Sequence, residues 1–209
     1  MSPRNADLHG NAPDKADGAL LIIDVVNRFD FPDAEQLLAN ARPIAEPLAT
    51  LASRARKVGV PVIYVNDNFG RWRSDFQGLV ERCVQLDAPG RDFVARLRPE
   101  ETDYQVVKPK HSGFFSTTLD TLLEYLGART LVLAGITTDI CVLFTANDAY
   151  MRDFGLIVAE DCVAAVEPSD DRAALALMRR VLKADVRPSS EIDLNALAAW
   201  SGNPAPARG

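Results

Sequence analysis

Residues 130–141 read TLVLAGITTDIC, and this stretch decides the fold. An apolar run, TLVLAG (130–135), stops at Gly135 and passes through a short polar turn, after which helical spacing predicts a helix from about Thr138 to Asp153. The run is nearly continuous in apolar residues instead of alternating, which is the pattern of a strand covered on both faces in a parallel sheet.

Four more runs of the same kind flank it: ALLIID (19–24), VPVIYVN (60–66), DYQVVK (103–108) and GLIVAE (155–160). Between the first two, Leu37, Leu38, Ala41, Ile44, Ala45, Leu48, Leu51, Ala52 and Ala55 recur at spacings of three and four up to Gly59, so 34–58 reads as a crossover helix. Further helices are expected at 118–126, closed by Gly127, and at 172–183, with a last strand at 184–187 and a helix at 194–200. The expected fold is therefore α/β, a three-layer αβα architecture around a Rossmann-like open sheet of about six mostly parallel strands. One domain is expected over 19–200, between a polar leader (1–18) and a tail (201–209) that both read as flexible. Residues 67–102 break the rhythm with a long polar stretch rich in Gly and Pro, read as a functional lid or a connection carrying small helices.

Composition narrows the chemistry. The 209 residues hold 23 Lys and Arg against 29 Asp and Glu, a formal charge of −6, which argues against a protein that grips nucleic-acid backbone with clustered cations. No apolar run is long enough for a membrane span, and the first one meets Asp24 at once instead of forming a signal segment. The three cysteines, Cys83, Cys141 and Cys162, are odd in number and widely spaced, which speaks for neither a disulfide framework nor a four-thiolate zinc site. A reducing cytoplasm is the expected compartment. With only two histidines, His9 in the leader and His111, a multi-histidine metal centre within one chain is ruled out.

Ligands of open α/β sheets bind beyond the carboxyl ends of the strands. Asp24 ends the first strand, Lys108 ends the third, and Cys141 follows the fourth in the first turn of its helix. A base, a cation and a nucleophile would thus meet on one edge. A helix N-terminus and a neighbouring lysine both favour a thiolate, and a desolvated Asp24 could take the thiol proton where a histidine often does. Each residue also has a plain structural reading: cysteine is among the most buried types, Asp24 could cap a turn, and Lys108 stands beside a second lysine, Lys110. Cys83 and Cys162 are read as structural, Asp161 as a capping or supporting residue, and His111 as an alternative partner for Cys141 that no spacing selects.

Three segments, LLIIDVVNRF, VVKPKHSGFFSTTLDTLL and LVLAGITTDICVLFTANDAYMRDFG, together resemble the isochorismatase-like cysteine hydrolase superfamily. The third is the most specific, its GITTDICV followed by Thr145, Asp148 and Ala149. The resemblance implies Asp24 as general base, Lys108 as the catalytic lysine and Cys141 as nucleophile. It implies a cis peptide between Ile136 and Thr137, an oxyanion hole made by the N–H groups of Thr137 and Cys141, and a pocket lined by Asn27 and Phe29. Trp72, His111 and Phe114 are further substrate-binding candidates, and Arg71 and Arg73 stand beside Trp72. Metal-binding nicotinamidases of the superfamily use an Asp-x-His element after the second strand; here the region reads Asn66-Asp67-Asn68-Phe69, so no metal and no cofactor is expected. In the strand order typical of such folds the third strand lies two places from the first, so the chain after Lys108 is expected to lean back over the sheet from Pro109.

The resulting expectation is a cysteine hydrolase cleaving a small-molecule amide, carbamoyl or ureido C–N bond through a thioester. The alternatives are vinyl ether hydrolysis of the isochorismatase type, which needs no thiol nucleophile, and a non-catalytic binding or assembly subunit. The expected partners are a small-molecule substrate and further copies of the chain in a dimer or tetramer, with neither nucleic acid nor membrane.

Overall fold

The structure, a computed structural model, describes residues 15–67 and 76–199. Its sheet has six strands: β1 (Gly18–Ile23), β2 (Val62–Asp67), β3 (Tyr104–Lys108), β4 (Thr130–Ile136), β5 (Gly155–Ala164) and β6 (Asp185–Arg187). All neighbouring pairs are parallel, in the order β3-β2-β1-β4-β5-β6. The chain thus winds outward from β1 in both directions, which leaves a crevice where the β1 and β4 ends diverge.

The continuous apolar character of β1 is explained by its position, since every residue from Gly18 to Ile23 is buried. Leu20 and Ile22 face one core with α1 (Ala34–Ala41), α2 (Ala45–Val58), α3 (Phe76–Cys83), α4 (Arg91–Arg96) and α8 (Leu194–Ala198). Ala19, Leu21 and Ile23 face a second core with α5 (Leu119–Leu126), α6 (Leu143–Tyr150) and α7 (Pro168–Val181). These are the two outer layers of the αβα sandwich.

Several boundaries differ from the sequence reading, each for a local reason. The single helix expected at 34–58 is interrupted by a 3₁₀ turn at Arg42–Ile44, where Pro43 lacks the N–H that an unbroken α-helix needs. The helix expected from Thr138 opens as a wide π-turn (Thr138–Val142), and α-helical geometry begins at Leu143. Helix α7 starts four residues before the expected Arg172, because Pro168 supplies a pre-set first helical position and Asp170 and Asp171 suit its first turn. The stretch 67–102 holds two short helices, α3 and α4, and β5 runs on to Ala164. The last residues of the expected leader belong to the fold: Ala16 is fully buried, and the Asp17 carbonyl accepts from the N–H groups of Arg129 and Thr130. Among the described residues no helix is long and apolar enough to cross a membrane.

Candidate active site

Asp24 follows β1 with φ 53, its N–H still paired to the Val65 carbonyl at 2.9 Å. The chain beyond is steered by Asn66, a fully buried side chain that accepts from the Val26 N–H and donates to the Val26 carbonyl, both at 3.0 Å. This amide stands in for a strand partner where the β1–β2 pairing ends. The Asp24 carboxylate is thereby fixed: Oδ1 accepts the Asp67 N–H at 2.6 Å, and Oδ2 meets Lys108 Nζ at 2.7 Å.

Lys108 is registered opposite Asp67 at the end of β3, and its side chain has no solvent exposure. The side chain itself crosses the end of β2 to reach Asp24. Its ammonium group has three donors, and three acceptors surround it: Asp24 Oδ2, the Lys110 carbonyl at 3.1 Å and Cys141 Sγ at 3.5 Å. Asp67 Oδ2 lies further off, at 3.8 Å. The loop after Lys108 does lean back over the sheet, far enough for the Gly113 N–H to bond Thr145 on α6.

Cys141 is carried by the π-turn, in which the Thr137 carbonyl accepts from both Ile140 (3.3 Å) and Val142 (3.1 Å). The peptide bond between Ile136 and Thr137 is cis. Gly135, just before it, has φ +116, and a Cβ there would stand 2.0 Å from the Ile23 carbonyl oxygen. Only glycine allows β4 to pass so close to β1.

The electrostatics of the three groups interlock. Burial raises the Asp24 carboxyl above its ordinary range, against the opposing pull of Lys108. Burial alone would pull Lys108 down, but Asp24, Cys141 and Asp67 together hold it above the usual lysine value. Burial and then Asp24 push the Cys141 thiol far up, with Lys108 countering. In the cluster the Asp24 carboxyl pairs with the Lys108 amine at 2.7 Å, beside a thiol in hydrogen-bond contact with Asp24. A carboxylate made more basic by burial, next to a thiol and a fixed cation, is equipped to take the thiol proton at the moment the sulfur acquires a new bond.

The other sequence candidates have these surroundings. Phe29 is 3% exposed and packs edge-on against Phe93, while Asn27 spends its carbonyl oxygen on the Phe29 N–H. Phe114 is 5% exposed, tilted against Phe154 and covered by the Arg152 guanidinium 4.8 Å from its ring centre. Both phenylalanines belong to the packed cores. His111 is exposed and pairs its ring with Phe144, centroids 5.5 Å apart. Arg71, Trp72 and Arg73 lie outside the described residues. Cys83 and Cys162 are fully buried, with thiols pushed up by burial to about 11 and about 12. Asp161 accepts from the Ser189 N–H and hydroxyl, tying β5 to the turn before α8.

Sequence reasoning did not single out Asn66, Asp67 or Ser112. The adjacent Asn66-Asp67 at the carboxyl end of β2 was the available signal, two polar residues after an apolar strand at the ligand-binding edge.

An aspartate, a lysine and a cysteine thus meet over the carboxyl ends of the strands of an open parallel sheet. The sequence matches the Isochorismatase domain family over residues 18–187, and the chain belongs to that family. It is 39% identical over 178 residues to the uncharacterized isochorismatase family protein YaaI of Bacillus subtilis, covering 85% of this chain and 97% of YaaI. It is 31% identical over 191 residues to the ureidoacrylate amidohydrolase RutB of Methylobacterium radiotolerans, covering 79% of this chain and 74% of RutB. Among solved structures, the N-carbamoylsarcosine amidase of Thermoplasma acidophilum superposes with a TM-score of 0.63 at 32% identity, covering 84% of this chain and 98% of the amidase.

Proposed function

We propose that this protein is a cysteine amidohydrolase that cleaves a small-molecule amide, carbamoyl or ureido C–N bond. The observation that carries the reading is the ammonium of Lys108, in contact at once with Asp24 (2.7 Å) and with Cys141 Sγ (3.5 Å) in a water-poor site. The likeness to a ureidoacrylate amidohydrolase and to an N-carbamoylsarcosine amidase supports C–N bonds next to a carbonyl as the target.

In this reading Asp24 takes the Cys141 proton as sulfur attacks the carbonyl carbon, and Lys108 balances the negative charge passing from sulfur to oxygen. The N–H groups of Thr137 and Cys141 hold the oxyanion, a service whose loss elsewhere costs about 3–4 kcal/mol of barrier per donor. Collapse breaks the C–N bond, and the proton on Asp24 goes to the departing nitrogen. Water then gives its proton to Asp24 and attacks the thioester, the C–S bond breaks, and the proton returns to sulfur as the acid leaves.

The test is a panel of small amides, carbamoyl compounds and ureides assayed for ammonia release, with Cys141→Ala alongside. The expected result is turnover by the wild type, a Cys141 acyl adduct by mass spectrometry and near-complete loss in the variant. Ammonia release retained by Cys141→Ala would remove the thiol from the mechanism, and cleavage of a vinyl ether by wild type and Cys141→Ala alike, with no ammonia from the panel, would point to ether hydrolysis without a thiol nucleophile. Failure of every compound to give ammonia or an adduct would leave a binding subunit.

A further inference from the structure

The nucleophile and its lysine reach the site from opposite halves of the sheet, β4 and β3, so something must hold their two loops in register. One fully buried hydroxyl touches both. Thr145 Oγ1, on α6, donates to the Cys141 carbonyl at 2.7 Å and accepts the Gly113 N–H at 3.0 Å. Gly113 belongs to the loop that begins at Lys108, and it sits flush: a Cβ there would lie 2.8 Å from Val65 Cγ1 and 3.1 Å from Leu119 Cδ2. The loop therefore seats against α6 at the depth that the Thr145 hydroxyl sets.

We infer that Thr145 is a positioning residue whose single hydroxyl, bonded to Cys141 on one side and to the Lys108 loop on the other, sets the Lys108–Cys141 contact. The inference rests on the reading of Cys141 as nucleophile. A hydroxyl has one proton and free lone pairs, and here the proton goes to Cys141 and a lone pair to Gly113, so the two bonds fix each other's direction. The contact they govern is sensitive, because at 3.5 Å a small retreat of the ammonium from sulfur weakens both the hydrogen bond and the Coulomb attraction.

A second fastening gives the comparison. Ser112 Oγ bonds Asp148 Oδ2 on α6, and Arg152 lies 3.4 Å from Asp148 Oδ1, so this link holds the same loop to the same helix. No bond of Asp148 reaches Cys141. The charged groups acting on the thiol are Asp24 and Lys108, with Asp67 acting on Lys108 from β2. Asp139 in the same turn and Asp171 of α7, bonded to Thr138, complete the acidic surroundings of the turn.

The experiment follows the rate of Cys141 alkylation by iodoacetamide against pH, together with thermal unfolding. Thr145→Val should slow alkylation at neutral pH about tenfold, Thr145→Ser should restore it to within about threefold, and Asp148→Asn should lower the unfolding temperature while leaving the rate within about threefold. Thr145→Ala serves the same comparison if the valine variant does not fold. Wild-type alkylation in Thr145→Val, or slowing in Asp148→Asn equal to that of Thr145→Val, would overturn the inference. The readout uses no substrate: a wild type that hydrolyses no amide sinks the proposed function, whereas an unaltered alkylation rate sinks the role of Thr145.

Discussion

Lys108 Nζ lies 2.7 Å from Asp24 Oδ2, although Lys108 ends β3 and Asp24 follows β1, two strands that are not neighbours because β2 runs between them. The long lysine side chain makes this link, and a fully buried cation with one close carboxylate depends on it. Lys108→Met is expected to lower kcat/KM by about a thousandfold, within the range for loss of a positioned acid–base partner. Lys108→Arg should fare little better, since a planar guanidinium cannot reproduce three contacts arranged around a compact ammonium. Steady-state kinetics of both variants on any substrate found in the ammonia panel checks this.

The direction of the Asp24 shift predicts the acid limb of the pH profile. The proposed mechanism uses the Asp24 carboxylate, and burial holds its pKa above the ordinary 3.8, so kcat/KM should rise with pH around a midpoint above that value. Lys108, held above its ordinary 10.5, should keep the cation in place on the alkaline side up to that region. A midpoint at or below 3.8 would contradict the burial argument. Stability carries the opposite sign: the folded state keeps a proton the unfolded chain has already released, so the Asp24 contribution falls as pH rises from 3.8 through the folded pKa.

The three cysteines should separate by accessibility. All three thiols are held above the ordinary value, so access decides between them: Cys83 and Cys162 are fully buried, whereas Cys141 is half-buried beside a base and a cation. Intact-mass analysis after brief iodoacetamide treatment of the native protein should show one adduct, absent in Cys141→Ala. Two or three adducts on the folded protein would count against the assigned environments.

Much of this was legible in the sequence because the signals are local. A nearly continuous apolar run such as LLII reads as covered on both faces, and GITTDIC carries its turn and the proposed nucleophile within a few residues. The contacts that assemble the site are not local. Asn66 meets Val26 across 40 positions, and Thr145 meets Gly113 across 32, so the partner of neither can be read from its own neighbourhood. The same holds for Phe29 and Phe114, candidates for the substrate pocket: the packing of one ring against Phe93 and of the other beneath Arg152 joins residues far apart in the chain.

Away from the site, Arg56 and Asp103 form a bidentate pair, at 2.9 and 2.7 Å, in which the carboxylate is only 1% exposed. Asp103 Oδ2 also accepts the Glu100 N–H, so the pair anchors the entry to β3 on α2. Removing one partner of such a pair strands the other charge in the interior. Arg56→Met is expected to cost about 3 kcal/mol in chemical denaturation. A change under about 1 kcal/mol would show instead that solvent reaches the pair and screens it.

Two glycines with positive φ should respond very differently to alanine. Gly59 caps α2 with φ +86, and a Cβ there meets nothing within 4 Å, so Gly59→Ala should cost only the left-handed backbone penalty, about 1–2 kcal/mol. Gly135 has φ +116 and faces Ile23 backbone atoms at 2.0, 2.6 and 2.8 Å from the Cβ position, where no side chain can rotate aside. Gly135→Ala must push β4 from β1 at the register Ile23↔Gly135, next to Asp24 on one strand and the Cys141 turn on the other. It is expected to exceed the roughly 4–5 kcal/mol that marks an exceptional single substitution, or to prevent folding. Thermal and denaturant unfolding of the two variants side by side makes the check, and comparable losses would mean that the β1–β4 approach is looser than these distances require.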